Sequence, residues 1–240
     1  MQGVSILVHG PSKSGKSFLS DTSPSPRLIL DAEGGASTRF TNSRKIIWNP
    51  LNEHPPKDDG TWDTCIVYVR SFQDVQRAYE WLNSGQHPFK SITIDSLSET
   101  QQRCIDAIVG TEQMKTQDWG ELLRKMSSLI RSYRDLIIHP TNPLRTVMFI
   151  AMTRDNDGVR RPYVQGQLAN TLPYYVDVCG YLWSELDSDT GVVKRRLLCA
   201  QHSAFEAGDR TGKLGNVVED PNIITMLGLI YGNDSSTTNQ

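Results

Sequence analysis

A glycine-rich octapeptide directly behind an apolar run limits the folds open to this chain more than any other stretch. Val4 to Val8 is the apolar run and His9 closes it. Gly10, Pro11, Ser12, Lys13, Ser14, Gly15, Lys16 and Ser17 follow at once. The eight residues satisfy G-x-x-x-x-G-K-[ST], a phosphate-binding loop set between a strand and a helix. Gly10 and Gly15 supply backbone conformations and a close approach that a Cβ would hinder. Successive N–H groups then converge on one concave nest for phosphate oxygens. Lys16 is placed to reach β- and γ-phosphates, and the Ser17 hydroxyl to ligate Mg²⁺. A short helix opening near Gly15, with Phe18 in its first turn, aims its positive end at the same anion.

The 240 residues are 38% hydrophobic and 22% charged, which suits one sizeable α/β domain. A net charge of −2 leaves no global basic signal, so any nucleic acid must be met by a local patch. Cys65, Cys104, Cys179 and Cys199 are widely spaced, and most sit in or beside apolar stretches. They read as buried thiols. Met1-Gln2-Gly3 leads straight into the first strand, which argues against a signal peptide. No apolar run approaches the length of a membrane span. A cytoplasmic location is the expectation.

Pro24 and Pro26 end the first helix early. Arg27 to Asp31 reads as a buried strand delivering Asp31-Ala32-Glu33-Gly34-Gly35 to its carboxyl end, where ligands gather on a parallel sheet. Glu33 is therefore a candidate to polarise an attacking water. Asn49 to Asp63 is polar and Pro-rich and reads as an exposed loop. Thr64 to Val69 is β-rich, and Phe72 to Leu82 has helical spacing. Ser91 to Asp95 is a strand ending in an acid, and Asp95 is the second candidate for the Mg²⁺ site. Leu97 to Val109 and Gln117 to Ile138 read as helices. Trp119, Leu122, Met126 and Tyr133 lie on the core stripe of the second. Thr146 to Ala151 is another buried strand. Thr153 to Pro173 lacks periodicity and reads as a mobile loop, where Arg154, Arg160 and Arg161 beside Tyr163 suit phosphates and a stacked base. A hairpin turning at Asp187 to Gly191, a Gly-rich loop with Arg210 and Lys213, and a helix over Asn222 to Ile230 complete the chain. The domain spans residues 1–231, and 232–240 read as a disordered tail.

This order resembles the core ATPase domain of the RecA/RadA recombinases, most closely the phage RecA-like proteins of the Sak type. The most specific carriers are the phosphate loop and Asp31-Ala32-Glu33-Gly34-Gly35, and the likeness covers about residues 3 to 230. It implies an α/β fold with a mostly parallel central sheet, flanking helices and a C-terminal β-hairpin. It implies ATP and Mg²⁺ as cofactors and Glu33 as the water-activating residue. Asp95 maps to the metal acid and about Thr153 to Leu172 to a single-stranded-DNA loop. Arg210 and Lys213 map to cations lent across a homo-oligomeric ring or filament. The partners implied are single-stranded DNA, further copies of the chain and a single-strand-binding protein, with no membrane. One departure is Ala151-Met152-Thr153, where relatives carry a polar sensor, often Gln or His.

The function implied is DNA-linked ATP hydrolysis in phage recombination or replication. A nucleotide-gated annealing or scaffold protein and a ring helicase-like motor are the rivals. A small-molecule kinase would need an acceptor pocket and an arginine-bearing lid, and would leave Glu33 without a task.

Overall fold

The computed structural model describes residues 3–39 and 44–232. Of the expected tail, all but Gly232 lies outside the described residues. Strand β1 (Val4–Gly10) is buried along its whole length. Its aliphatic side chains alternate between two cores: Leu7 joins one, and Ile6 and Val8 the other. That double burial is what a central parallel strand requires. β2 (Arg27–Asp31), β3 (Lys45–Ile47), β4 (Thr64–Tyr68), β5 (Ser91–Asp95), β6 (Thr146–Asn156) and β8 (Val178–Leu186) run parallel to it, in the order β8-β1-β6-β5-β2-β4-β3. β9 (Val193–Leu198) and β11 (Val217–Glu219) extend this sheet antiparallel beyond β8. The two-residue β10 (Gly208–Asp209) also pairs with β8.

Helices cover both faces. α3 (Phe72–Asn83), α4 (Leu97–Val109) and α5 (Thr116–Asp135) pack on the Leu7 side. The five-residue α1 (Lys16–Ser20) and α7 (Ile223–Tyr231) pack on the Ile6 side. α2 (Ala36–Arg39) and α6 (Leu168–Thr171) are single turns. Helix starts follow side-chain chemistry. Asp74 accepts from the Ser71 amide at 2.7 Å, and Asn222 from the Thr225 amide at 3.2 Å. No described helix is long and apolar enough to cross a membrane. All four cysteines are free and buried.

The register puts the strand ends that matter on one edge. Asp31 lies opposite Asp95, Asp95 opposite Ile150, and Gly10 opposite Met152. Two readings are corrected here, of Thr153 to Pro162 and of Trp119, and a third, of Asn49 to Asp63, is refined. Thr153 to Pro162 is no mobile loop, because β6 runs on to Asn156 and turns into β7 (Val159–Pro162) through Asp157-Gly158. Asn49 to Asp63 is largely exposed, yet Trp62 is buried in the core and pins it, with its indole N–H on the Lys57 carbonyl at 3.1 Å. Trp119 leaves the core stripe and stays 40% exposed. It sits in the first turn of α5, ahead of the helix's closest packing.

Candidate active site

A cavity of about 530 Å³ opens at the carboxyl edge of β1, β5 and β6, bounded by Gly10 to Lys13 and Gly15 to Ser17 with Glu33, Asp95 and Thr153. Gly10 and Gly15 have no room for a side chain. A Cβ on Gly10 would run into the Leu182 carbonyl, and one on Gly15 into the Arg195 side chain. Gly15 also holds φ at 101°, a left-handed conformation that favours glycine. The Lys16 ammonium donates to the Gly10 carbonyl at 2.9 Å and the Pro11 carbonyl at 2.7 Å. Burial lowers its pKa, while Glu33 and Asp95 oppose that. The Ser14 hydroxyl is buried without a protein partner. A cation turned on its own loop's carbonyls at the cavity wall suits a polyphosphate.

Ser17 and Asp95, the two expected metal ligands, line the same cavity. Burial raises the Asp95 pKa, and the neighbouring Ser17 hydroxyl and Arg39 oppose that rise. Among the described residues no group of three or more His, Cys, Asp or Glu gathers as a metal cluster. The Ser17–Asp95 pair is the sparse protein set that suits Mg²⁺, which takes its other ligands from phosphates and water.

Glu33 is held from two sides. Buried Asp31 accepts the Gly34 and Ala36 amides, each at 2.9 Å, and so fixes the loop that carries it. The Ser96 hydroxyl donates to Glu33 Oε1 at 2.6 Å. Ser96 also caps α4, directly after Asp95.

Sequence reasoning missed four of these neighbours. Arg39 pairs with Asp95 at 3.2 Å and Asp21 at 3.1 Å. Arg195 on β9 lies over the Phe18 ring at 5.6 Å, beside the phosphate loop. Ser96 was legible only as a helix cap. His9 is fully buried, and its Nε2–H donates to the Glu206 carbonyl at 2.7 Å. That bond leaves Nδ1 as an acceptor, 3.1 Å from the Thr153 hydroxyl. Burial brings the His9 pKa down to about 4, so the ring is neutral at pH 7. The position where relatives carry a polar sensor thus holds a threonine backed by a histidine from β1.

The AAA_24 model, described as an AAA domain, matches residues 2–211. The chain belongs to this family. It is a RecA-like P-loop ATPase domain that binds nucleotide, and its parallel sheet agrees with a solved neighbour. That neighbour is a prototypical ATPase from the type III secretion system of pathogenic bacteria, at 12% identity and a TM-score of 0.51. The match covers 88% of this chain and 58% of that one, so this chain spans little more than half its length. A KaiC-like protein from the archaeon Pyrococcus horikoshii OT3 aligns at 14% identity and a TM-score of 0.45, covering 92% of this chain and 90% of that one. No curated protein matches.

In this AAA domain the hairpin arginines separate. Arg154 and Arg161 line a second cavity together with Tyr163. Arg160 projects elsewhere and donates to the Tyr181 hydroxyl at 3.0 Å, with Phe205 under its guanidinium. Arg210 is exposed, donates to the Tyr174 carbonyl at 3.1 Å and approaches Asp177 at 3.4 Å. Asp209 accepts the Thr211, Lys213 and Leu214 amides and so shapes the loop bearing Lys213. Neither Arg210 nor Lys213 lines the chain's own nucleotide cavity.

Proposed function

We propose that this ATPase domain hydrolyses ATP with Mg²⁺ and links the reaction to single-stranded DNA, as a phage recombination or replication protein of the Sak type. Gly10 to Ser17 hold the phosphates. Ser17 and Asp95 hold the Mg²⁺, which when bound would neutralise charge on the phosphate oxygens. Lys16 supplies a fixed positive charge in a partly water-excluded site. Glu33, oriented by Ser96, takes a proton from the attacking water.

One observation carries the DNA reading. β6 is continuous from the nucleotide cavity, at Ile150, Met152 and Thr153, to the hairpin where Arg154, Arg161 and Tyr163 line the second cavity. Guanidiniums beside an exposed ring are the chemistry of sequence-tolerant strand binding. The test is single-strand affinity across a salt series. Arg154→Ala with Arg161→Ala should weaken binding, each lost phosphate contact lowering the log–log slope by about 0.7. Arg160→Ala should change the slope less. An unchanged affinity and slope in the double variant rejects this surface.

His9 and Thr153 favour a second reading, in which nucleotide gates annealing and turnover is incidental. A neutral buried imidazole bonded to a carbonyl has little freedom to switch with a γ-phosphate. Annealing supported by a non-hydrolysable analogue as well as by ATP would select that reading.

A further inference from the structure

The second cavity has a volume of about 590 Å³, and its walls include Trp119, Arg154, Asn156, Arg161, Tyr163 and Asn170. Trp119 and Tyr163 keep 40% and 37% of their surface exposed. The Arg154 guanidinium lies 5.8 Å from the Tyr163 ring, and Arg161 donates to Asn170 at 3.3 Å. Two exposed rings offer flat apolar faces, two guanidiniums offer charge, and two carboxamides offer hydrogen bonds to a ring edge. A nucleobase on a phosphate chain asks for all three.

The floor of this cleft hangs from α4. The Ser98 hydroxyl donates to the Tyr163 carbonyl at 2.7 Å and accepts the Met152 amide at 3.2 Å. Buried Gln101 accepts the Gln165 amide at 2.6 Å and donates to the Gln165 carbonyl at 3.3 Å. At the start of the same helix Ser96 grips Glu33 at 2.6 Å. The cleft floor and the catalytic carboxylate are therefore fastened to the first turns of one rigid element.

We propose that the Trp119–Tyr163 cleft seats an unstacked base of a single strand, and that α4 carries its occupancy to Glu33. The inference rests on the strand-binding reading above. A seated base bears on the Tyr163–Gln165 segment, and Ser98 and Gln101 pass that displacement to α4. Ser96 then resets the Glu33 carboxylate. Ser98 and Gln101 are positioning residues, acting through Ser96. The strand favours the active arrangement only by as much as it binds that arrangement more tightly.

The experiment measures affinity and ATP hydrolysis with an oligothymidylate and with an abasic strand of the same length. In the parent both strands should bind, the abasic one more weakly, and only the oligothymidylate should stimulate hydrolysis. Trp119→Ala should lose affinity for the oligothymidylate by about tenfold, the order of one base–aromatic stack, with an unchanged salt slope. Gln101→Met and Ser98→Ala should lose stimulation even at saturating strand, and Ser98→Thr should restore it. Ser98→Ala removes one hydroxyl and keeps the link testable if Gln101→Met fails to fold. Equal binding and stimulation by the two strands, unaltered by Trp119→Ala, overturns the cleft while strand binding stands. Parent-level stimulation in Ser98→Ala, or a parent that binds strand with no change in hydrolysis, overturns the α4 link. A parent that binds no strand at all overturns the underlying reading and this inference with it.

Discussion

The Arg39 guanidinium lies 3.2 Å from Oδ2 of Asp95, and the two side chains are only 8% and 5% exposed. The same guanidinium lies 3.1 Å from Asp21. One buried cation thus compensates two acids, Asp21 and the candidate metal ligand Asp95. Burial pushes the Asp21 carboxyl up to about 6, with Arg39 the largest opposing influence.

Removing Arg39 leaves both acids without that compensation. Arg39→Ala should destabilise the fold by about 3 kcal/mol or more, as breaking buried ion pairs does. Arg39→Lys should recover part of this, keeping the charge but not the fork. Urea unfolding gives the values. Asp95→Asn should cost less in the Arg39→Ala background than in the parent, and strict additivity would show the pair uncoupled.

The sheet and the phosphate loop were legible because each rests on local pattern. A buried parallel strand is a run of apolar residues, and the loop is a fixed spacing of Gly, Lys and Ser. Asp95 and Glu33 were legible for a related reason, since each ends or follows such a strand. Arg39, His9 and Arg195 were not, because their roles depend on partners 56, 144 and 180 or so positions away in the chain. The β6–β7 hairpin was missed because its strands lack alternation, although Asp157-Gly158 is the two-residue turn signal that could have found it. Arginines, Asp155 and Asn156 stand where a half-buried strand would show alternating apolar residues. Trp119 was misplaced by a correct helical period, which gives a face but not where along the helix the packing begins.

The chemical assignments separate binding from turnover. Lys16→Ala should cripple nucleotide binding, read by fluorescent-nucleotide titration. Glu33→Gln should bind normally and lose about 10²–10⁴-fold in turnover. Ser96→Ala should lose a smaller part of turnover with little change in KM, because Glu33 remains but loses its 2.6 Å tether. Parent-rate hydrolysis by Glu33→Gln would remove the water-activating role.

His9 makes stability depend on pH. Its pKa is about 4 in the fold against 6.5 when unfolded. The unfolded chain therefore binds the extra proton first. The stability from neutral His9 is complete above pH 6.5 and is lost as pH falls towards 4, about 3 kcal/mol in all. His87, also lowered to about 4 by burial, acts in the same direction. Asp21 acts in the opposite direction between 3.8 and about 6, since its folded pKa is raised. The informative quantity is the difference between His9→Gln and the parent. The variant should lose part of the decline between pH 6.5 and 4 and keep the share from His87. Parallel stability curves would mean that His9 titrates in the fold as it does unfolded.

The last prediction concerns Arg210. Asp177 donates its amide to the Ser5 carbonyl, at the start of β1, whereas the phosphate loop follows the end of β1. Arg210, bonded to Asp177, therefore lies at the opposite edge of the sheet from its own nucleotide cavity. Within one subunit it has no route to a γ-phosphate. Any catalytic role must be played on a neighbour, and the exposed guanidinium would leave the Tyr174 carbonyl at 3.1 Å and Asp177 at 3.4 Å to be recruited there. Arg210→Ala should then keep nucleotide binding and lose hydrolysis by about 10³-fold or more. Mixed with Lys16→Ala subunits it should regain activity. In such a pair the Lys16→Ala subunit lends an intact Arg210 to its neighbour's intact phosphate loop. The measurement is a titration of the two inactive variants at fixed total protein, with subunit exchange followed separately by energy transfer between labelled copies. Exchange without recovered activity at any ratio would confine Arg210 to its bonds with Tyr174 and Asp177.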